Sequence, residues 1–416
     1  MKKLLILATL FTSTLFYSCN NQDATTNTTV DDSGFVDSNT VYLSSFSSNQ
    51  LPSYDTWVIQ DSSADTAESF AGLSAALATI ADSGREITLE FPNLTSFPDY
   101  ALLGATPDIY DEDEDDYFFY TTIDYSEYDT FALVAVSAPQ ATYLGSHAFV
   151  RCYNLASISF PAATTISDNT FLYCSSIPQV TSEEFASLTS VGEAAFTLCE
   201  ALTTVNLPDV TDVAASSFAN CQALTTVSLE SVESIGDWSF GGCYSLSEFD
   251  APALATIGNA SFFCDYALTS IDLEEVTKVG KWAFYFCNGL ESINLPLASF
   301  IGEQSFYSCT SLTSIELPSA TELVTGAFYS CTSLESLTLP VITVIGSDAM
   351  RNCNALTTLV MATESQFDRV DANSFFETET TTISLYTGVL NSAYVDENIL
   401  TVGSFTQEFS SILIID

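Results

Sequence analysis

Eleven cysteines and one histidine are the residues of this 416-residue chain whose chemistry would be most specific. Ten of the cysteines form a ladder: Cys152, Cys174, Cys199, Cys221, Cys243, Cys264, Cys287, Cys309, Cys331 and Cys353. Six of the nine intervals are 22 residues, and the others are 25, 21 and 23. Metal binding asks for closely spaced thiolates, yet no C-x-x-C occurs. Disulfides ask for thiols that face one another. Side chains at one register of stacked coils run parallel instead, so the ladder predicts free, inert thiols that fill a turn.

His147 is the one residue able to serve as base in a Ser-His-Asp or Cys-His device. It stands two residues before the apolar position Phe149 and is expected to face solvent in a turn. With 53 acidic side chains, paired carboxylates say little about glycoside chemistry. The acidic run Asp111 to Asp116 lacks the sixth-position glycine and twelfth-position glutamate of an EF-hand and reads as a solvated loop. The expectation is therefore a non-enzyme with no catalytic residue, no metal and no cofactor. Eight basic residues against 53 acids give a formal charge of −45. Nucleic acid and anionic membrane faces, which need clustered Lys and Arg, are excluded as partners.

Behind the cysteines lies a longer repeat. A leucine follows three residues after most of them, as Leu202, Leu224, Leu246, Leu268, Leu290, Leu312, Leu334 and Leu356, spaced by 22 throughout. Asp265 takes the cysteine register in the coil of Cys264, and the interval of 25 marks an insertion between Pro178 and Ser190. The repeat Leu312 to Ser333, LTSIELPSATELVTGAFYSCTS, shows the logic. Leu312, Ile315 and Leu317 point inward, I-x-L is a short half-buried strand, and Pro318 ends it. A second apolar position near Val324 precedes a turn. Glycine is common there (Gly192, Gly236, Gly258, Gly280, Gly302, Gly346), as suits a reversal with positive φ. The aromatic that follows recurs from Phe149 to Phe328, with Met350 last. One 22-residue turn cannot bury its own apolar face, but stacked turns share a core. The sequence predicts a repeat solenoid of twelve coils, with a parallel β-sheet on one face and short helical or 3-10 turns on the other.

The pattern L-x-x-I-x-L-P followed by I-G-x-x-A-F-x-x-C resembles the BspA-like leucine-rich repeat family of surface and secreted proteins from Bacteroidetes-type bacteria and some parasitic protists. The match covers residues 89–361. The resemblance implies a right-handed curved solenoid used for adhesion to host or matrix proteins or for other binding, and no catalytic residues. Departures at Ser182, Ala251 and Asp265 predict local irregularity.

The chain starts MKKLLILATLFTSTLFYSC, two lysines and an apolar stretch ending at a cysteine. Residues 1–18 read as a lipoprotein signal peptide with Cys19 as the acylated residue of the mature chain, plain secretion being the alternative. Residues 19–40 read as a disordered tether and 41–88 as a helical N-terminal cap, in which Phe70, Leu73, Leu77 and Ile80 share a face and Gly84 stops the helix. An acidic, tyrosine-rich insertion fills 103–130. Residues 362–416 form an α+β C-terminal cap.

Two surfaces are candidates for binding. Outward columns beside the inward Ile or Val of each strand read Thr204, Thr226, Glu248, Ser270 and Asn206, Ser228, Asp250, Asp272, Asn294, Glu316, Thr338. They are small, hydroxylated and acidic, suited to an extracellular protein or glycan and favouring a cationic one. Tyr285, Tyr307 and Tyr329 form an aromatic edge beside the phenylalanines, joined by Tyr244 and Tyr266. The chain is thus expected to be a monomeric, adhesin-like surface lipoprotein, touching membrane through its lipid alone. A passive acidic surface-layer or spacer protein is the alternative.

Overall fold

A computed structural model describes residues 66–103 and 132–361, shorter segments at 35–36, 40–43, 51–52, 54–63, 369–371 and 373–374, and five strands between 382 and 415. Cys19, most of the tether and all but the first residue of the acidic insertion lie outside the described residues.

Each regular coil places a three-residue strand with its central residue buried and its flanks outward, as in Ser270–Asp272 and Ser314–Glu316. Successive strands pair in parallel, so that Thr204, Thr226 and Glu248 stand side by side. A proline or leucine later, a two-residue strand follows, such as Thr256–Ile257 or Lys278–Val279, again with one residue buried. These short strands make a second parallel sheet, continuous over twelve coils from Ser96–Phe97 to Arg369–Val370. The short helical turns expected opposite the main sheet are replaced by this sheet and by hydrogen-bonded turns. The helical elements among the described residues include Ala71–Ile80 and three 3-10 turns, the last of which, Ala101–Leu103, ends at the start of the insertion.

The turns have a backbone reason for not being helical. Two residues four apart in each coil adopt left-handed φ, for example Trp282 (58°) with Phe286 (60°) and Gln304 (52°) with Ser308 (58°). Alternate amides are thereby aimed at the next coil: Trp282, Phe284 and Phe286 N–H donate to the carbonyls of Glu303, Ser305 and Tyr307 at 2.7 to 3.0 Å. The turn glycines do not supply these conformations, contrary to expectation. The left-handed residues stand two positions later, and Gly258, Gly280 and Gly302 serve close approach. A Cβ on Gly280 would sit 2.5 Å from Gly258 O, and one on Gly302 2.6 Å from the Gly280 carbonyl carbon. Ser167, Ala214 and Val324 hold the same register elsewhere, so glycine is not required in every coil. In the repeat quoted above it is Leu323, not Val324, that enters the core.

The core is a set of parallel columns. The phenylalanines from Phe149 to Phe328 are fully buried, with neighbouring ring centroids 5.1 to 6.0 Å apart. Ring planes stay nearly parallel, at 0° for Phe196 on Phe218 and 4° for Phe284 on Phe306. Hydroxyls add a ladder that hydropathy does not reveal. Thr225 Oγ1 donates to Thr203 O at 3.0 Å and Thr277 Oγ1 to Ala255 O at 3.2 Å, each one coil back. Part of the serine and threonine content therefore binds coil to coil.

The main sheet is interrupted where the sequence departs from its pattern. It breaks between Ser157–Ser159 and Gln179–Thr181, at the insertion, where Phe160 N–H reaches Glu184 O. It breaks again between Glu248–Asp250 and Ser270–Asp272, the coils of Ala251 and Asp265. There Phe249 replaces the usual Ile or Val and wedges edge-on against Phe240 (5.3 Å) and Phe262 (4.9 Å), widening the phenylalanine column to its largest spacing. A third break, between Ser292–Asn294 and Ser314–Glu316, has no sequence departure to explain it.

The sheet also extends past the limits drawn from sequence. Thr56–Ile59, with Trp57 and Ile59 inward, pairs with Ile87–Glu90, and Thr382–Tyr386 and Ser411–Ile415 continue the ladder after Met361. The helix Ala71–Ile80 buries Leu73, Leu77 and Ile80, Phe70 is buried just before it, and Gly84 is left-handed at 73°. In the C-terminal segment the described elements are strands, including an antiparallel meander over Tyr394–Asp396, Ile399–Val402 and Phe405–Glu408.

Candidate binding surfaces

Along the strand face the outward columns stand in register. Asn206, Glu248, Asp250, Ser270, Asp272, Asn294 and Glu316 are exposed, whereas Thr204, Thr226, Ser228 and Thr338 are half-buried. Asn294 Nδ2 donates to Asp272 Oδ1 at 2.7 Å, which holds that carboxylate outward. At the break beside Phe249 the separation of coils leaves a shallow depression of about 530 Å³, lined by Glu248, Asp250, Ser270, Asp272, Ser292 and Asn294. Its floor is Phe249, Ile271 and Ile293. Three of the four acidic candidates, Glu248, Asp250 and Asp272, thus line one depression, while Glu316 stands on the sheet outside it.

On the turn side Tyr285, Tyr307 and Tyr329 are half-buried and stack at 4.6 and 4.8 Å. Arg351 caps the column 5.7 Å over Tyr329, and Phe263 extends it the other way, 5.2 Å from Tyr285. Tyr244 and Tyr266 form a separate exposed pair at 5.4 Å. Tyr285, Tyr307 and Tyr329 are therefore one continuous π-stack, from which Tyr244 and Tyr266 stand apart. Sequence reasoning passed over Phe263, Trp238 and Trp282, which border the same surface. Writing the turn registers one beneath another would have shown them.

None of the ten ladder cysteines is in a disulfide; nine are buried and Cys264 is half-buried. Each buried thiol from Cys174 on donates to a phenylalanine carbonyl of the preceding coil: Cys221 to Phe196 at 3.2 Å, Cys309 to Phe284 at 3.1 Å, Cys353 to Phe328 at 3.1 Å. Burial pushes the Cys221 and Cys353 thiols up to about 12. A thiolate is the reactive form, so these groups are inert. A thiol reagent is expected to leave the native protein almost unmodified and to find all ten ladder thiols after denaturation. Fewer than about eight would show pairing at the stacked register.

His147 differs from expectation. It is half-buried rather than solvent-facing, stacked on Tyr100 at 4.8 Å, with Nδ1 2.7 Å from Ser146 Oγ. Burial lowers its pKa to about 4, although Asp99 and Asp168 act the other way. The ring is held in the coil turn as a packing element.

Asp265 is the chemical exception. It is fully buried in the cysteine register, and neither carboxylate oxygen makes a hydrogen bond of ordinary geometry, although the Cys243 backbone faces the carboxyl. Burial drives its carboxyl well above the usual range, opposed by the Cys243 backbone. No cleft exposes it, so its consequence is for stability.

Similar solved structures include a leucine-rich repeat protein from Bacteroides ovatus, 20% identical over 88% of this chain and 100% of that one, with a TM-score of 0.43. A leucine rich cell surface protein from Faecalibacterium prausnitzii is 19% identical over 83% and 96%, with a TM-score of 0.40. No curated protein matches the chain. The model of the BspA type leucine rich repeat region matches residues 121–246, 211–319 and 299–406. Those segments span most of the chain and contain the whole cysteine and phenylalanine ladder, so the chain belongs to the BspA-type leucine-rich repeat family.

Proposed function

We propose that this protein is exported through its N-terminal segment, acylated at Cys19 and displayed at the cell surface, where its strand face binds an extracellular protein or glycan and catalyses nothing. The observation that carries the reading is the group of exposed carboxylates Glu248, Asp250, Asp272 and Glu316 on one sheet face, whose outward columns hold no lysine or arginine. A −45 chain with such a face attracts cationic partners and repels anionic ones. Membership of a repeat family supports a scaffold for interaction, and among the described residues the buried ladder thiols are inert and His147 is packed against Tyr100 in a coil turn.

The test is a capture screen of the purified protein against immobilised matrix proteins, mucins and glycans. A saturable partner is expected, its affinity falling by about tenfold or more between ~50 and ~500 mM salt as screening removes the charge contribution. A saturable partner indifferent to salt would refute the electrostatic part. A folded monomer that captures nothing would favour the passive spacer.

A further inference from the structure

The turn side carries a cavity that neither the repeat nor the strand-face reading uses. One turn register runs Ala219, Gly241, Phe263, Tyr285, Tyr307, Tyr329 at intervals of 22. From Phe263 onward it is the aromatic stack; before Phe263 the side chains shrink to those of glycine and alanine. The stack therefore ends in a step. A second register runs Ser216, Trp238, Ala260, Trp282, Gln304. Two indoles stand two coils apart with the buried Ala260 between them. Step and gap together open a groove of about 610 Å³, floored by Ala215, Ala219 and Gly242 and walled by Trp238, Phe263 and Trp282.

The walls are held in place. Trp238 packs on Phe263 at 4.8 Å, and Trp282 Nε1 donates to Gln304 Oε1 at 2.7 Å. Left-handed φ at Trp238 and Trp282 is shared by every coil's counterpart, so the backbone is scaffold and the indoles are the local addition. The polar lining is acidic and neutral: Glu193 and Asp237, with Asn220 and Gln304, and no lysine or arginine. Asp168 beside Glu193 adds to the negative potential at the rim. Immediately next to the groove, Lys281 Nζ lies 4.2 Å over the Trp282 ring, and the ammonium is shared with Glu303 at 3.1 Å. The molecule already uses this combination of indole face and carboxylate to hold one cation of its own.

We propose that this groove is a binding site for a cationic side chain, arginine or lysine, presented by a basic polypeptide segment. The cation lies against the faces of Trp238 and Phe263 with its charge toward Glu193 and Asp237, and the apolar stem covers Ala219 and Gly242. Aromatic faces attract cations through their quadrupole, more strongly when water is excluded, and a concave wall of rings excludes it. An oligosaccharide would also stack on the rings and donate hydroxyls to the carboxylates, but it carries no positive charge to complement Glu193 and Asp237. The site is separate from the strand face and does not depend on it.

The protein has three tryptophans, of which Trp57 is fully buried and the other two line the groove. Tryptophan emission therefore reports occupancy directly. The purified protein is titrated with a capped glycine-rich peptide carrying two arginines, and with the same peptide carrying citrulline, which keeps the shape and removes the charge. A saturable change is expected with arginine and a loss of about tenfold or more in affinity with citrulline. Glu193→Gln and Trp238→Leu are each expected to weaken the arginine peptide by several-fold or more. Glu230→Gln, which removes the same charge from an exposed position outside both surfaces, is expected to change affinity less than twofold. The proposal is overturned if citrulline binds as well as arginine, or if Glu230→Gln costs as much as Glu193→Gln. It is equally overturned by no saturable response to the arginine peptide, or by a response to cellohexaose in its place. Failure of the strand-face screen would leave this emission titration unaffected, so the two outcomes are separable.

Discussion

Replacing Phe284 by alanine is expected to lower stability by about 3–5 kcal/mol, the range for deleting a buried phenylalanine ring. Phe284 is fully buried, 5.1 Å from Phe262 and 5.3 Å from Phe306 in the stack. Both neighbours lose a parallel ring face, and stacked coils bonded only to their neighbours cannot redistribute the cavity across a globular core. Phe284→Leu, which refills part of the volume, is expected to recover roughly half of the loss. The measurement is the denaturant midpoint of each variant, with hydrogen exchange over the coils 262–328 to localise the change. A loss below about 1 kcal/mol would mean that the phenylalanine column is not the structural spine.

The second large effect has the opposite sign. Asp265→Cys, measured under reducing conditions, is expected to stabilise the protein by at least about 1–3 kcal/mol at neutral pH, the usual cost of an unpaired buried polar group. The site is already shaped for a thiol: Cys243 donates to Phe218 O at 3.2 Å and Cys287 to Phe262 O at 2.9 Å on either side. A cysteine in the same register has Phe240 O as its acceptor. The gain is expected to grow with pH. Asp265 is raised in the folded protein, so the folded state keeps a proton that the unfolded chain releases above about 3.8, and stability drains as pH rises. His147 acts oppositely: lowered to about 4 from 6.5, it withdraws stability as pH falls through that window. Both proteins carry His147, so it cancels in the difference. Denaturation of the two at pH 5 and pH 8 checks the sign, and a gap that narrowed at pH 8 would contradict a buried, protonated Asp265.

The elements most legible in the sequence were those that repeat within one coil. Leucine, cysteine and phenylalanine at fixed offsets announced the buried columns, and I-x-L announced the strand with its outward flanks. Even the breaks near Ser182 and Ala251 were marked by departures from the pattern. What escaped were features set between coils. A two-residue strand such as Lys278–Val279 is too short to signal itself and exists because its neighbours pair with it. The turn glycines suggested a dihedral preference, whereas Gly280 answers to the carbonyl of Gly258 in the adjacent coil. His147 looked exposed because Tyr100, its stacking partner, lies 47 residues away across the insertion. The groove escaped for the same reason: Trp238, Phe263 and Trp282 come from three coils, and Gly241 matters because it leaves room for the Trp238 ring.

The proposed function places binding on the strand face and leaves the core to the repeat. A single comparison tests that most directly: affinity of the captured extracellular partner for the unaltered protein and for Asp250→Asn, Asp272→Asn, Glu316→Gln combined. The three residues are exposed on the strand face, so the variant is expected to keep its fold and denaturation midpoint. Loss of at least about tenfold in affinity with an unchanged midpoint is the expected result. Full affinity in the folded variant would contradict the assignment of binding to the strand face.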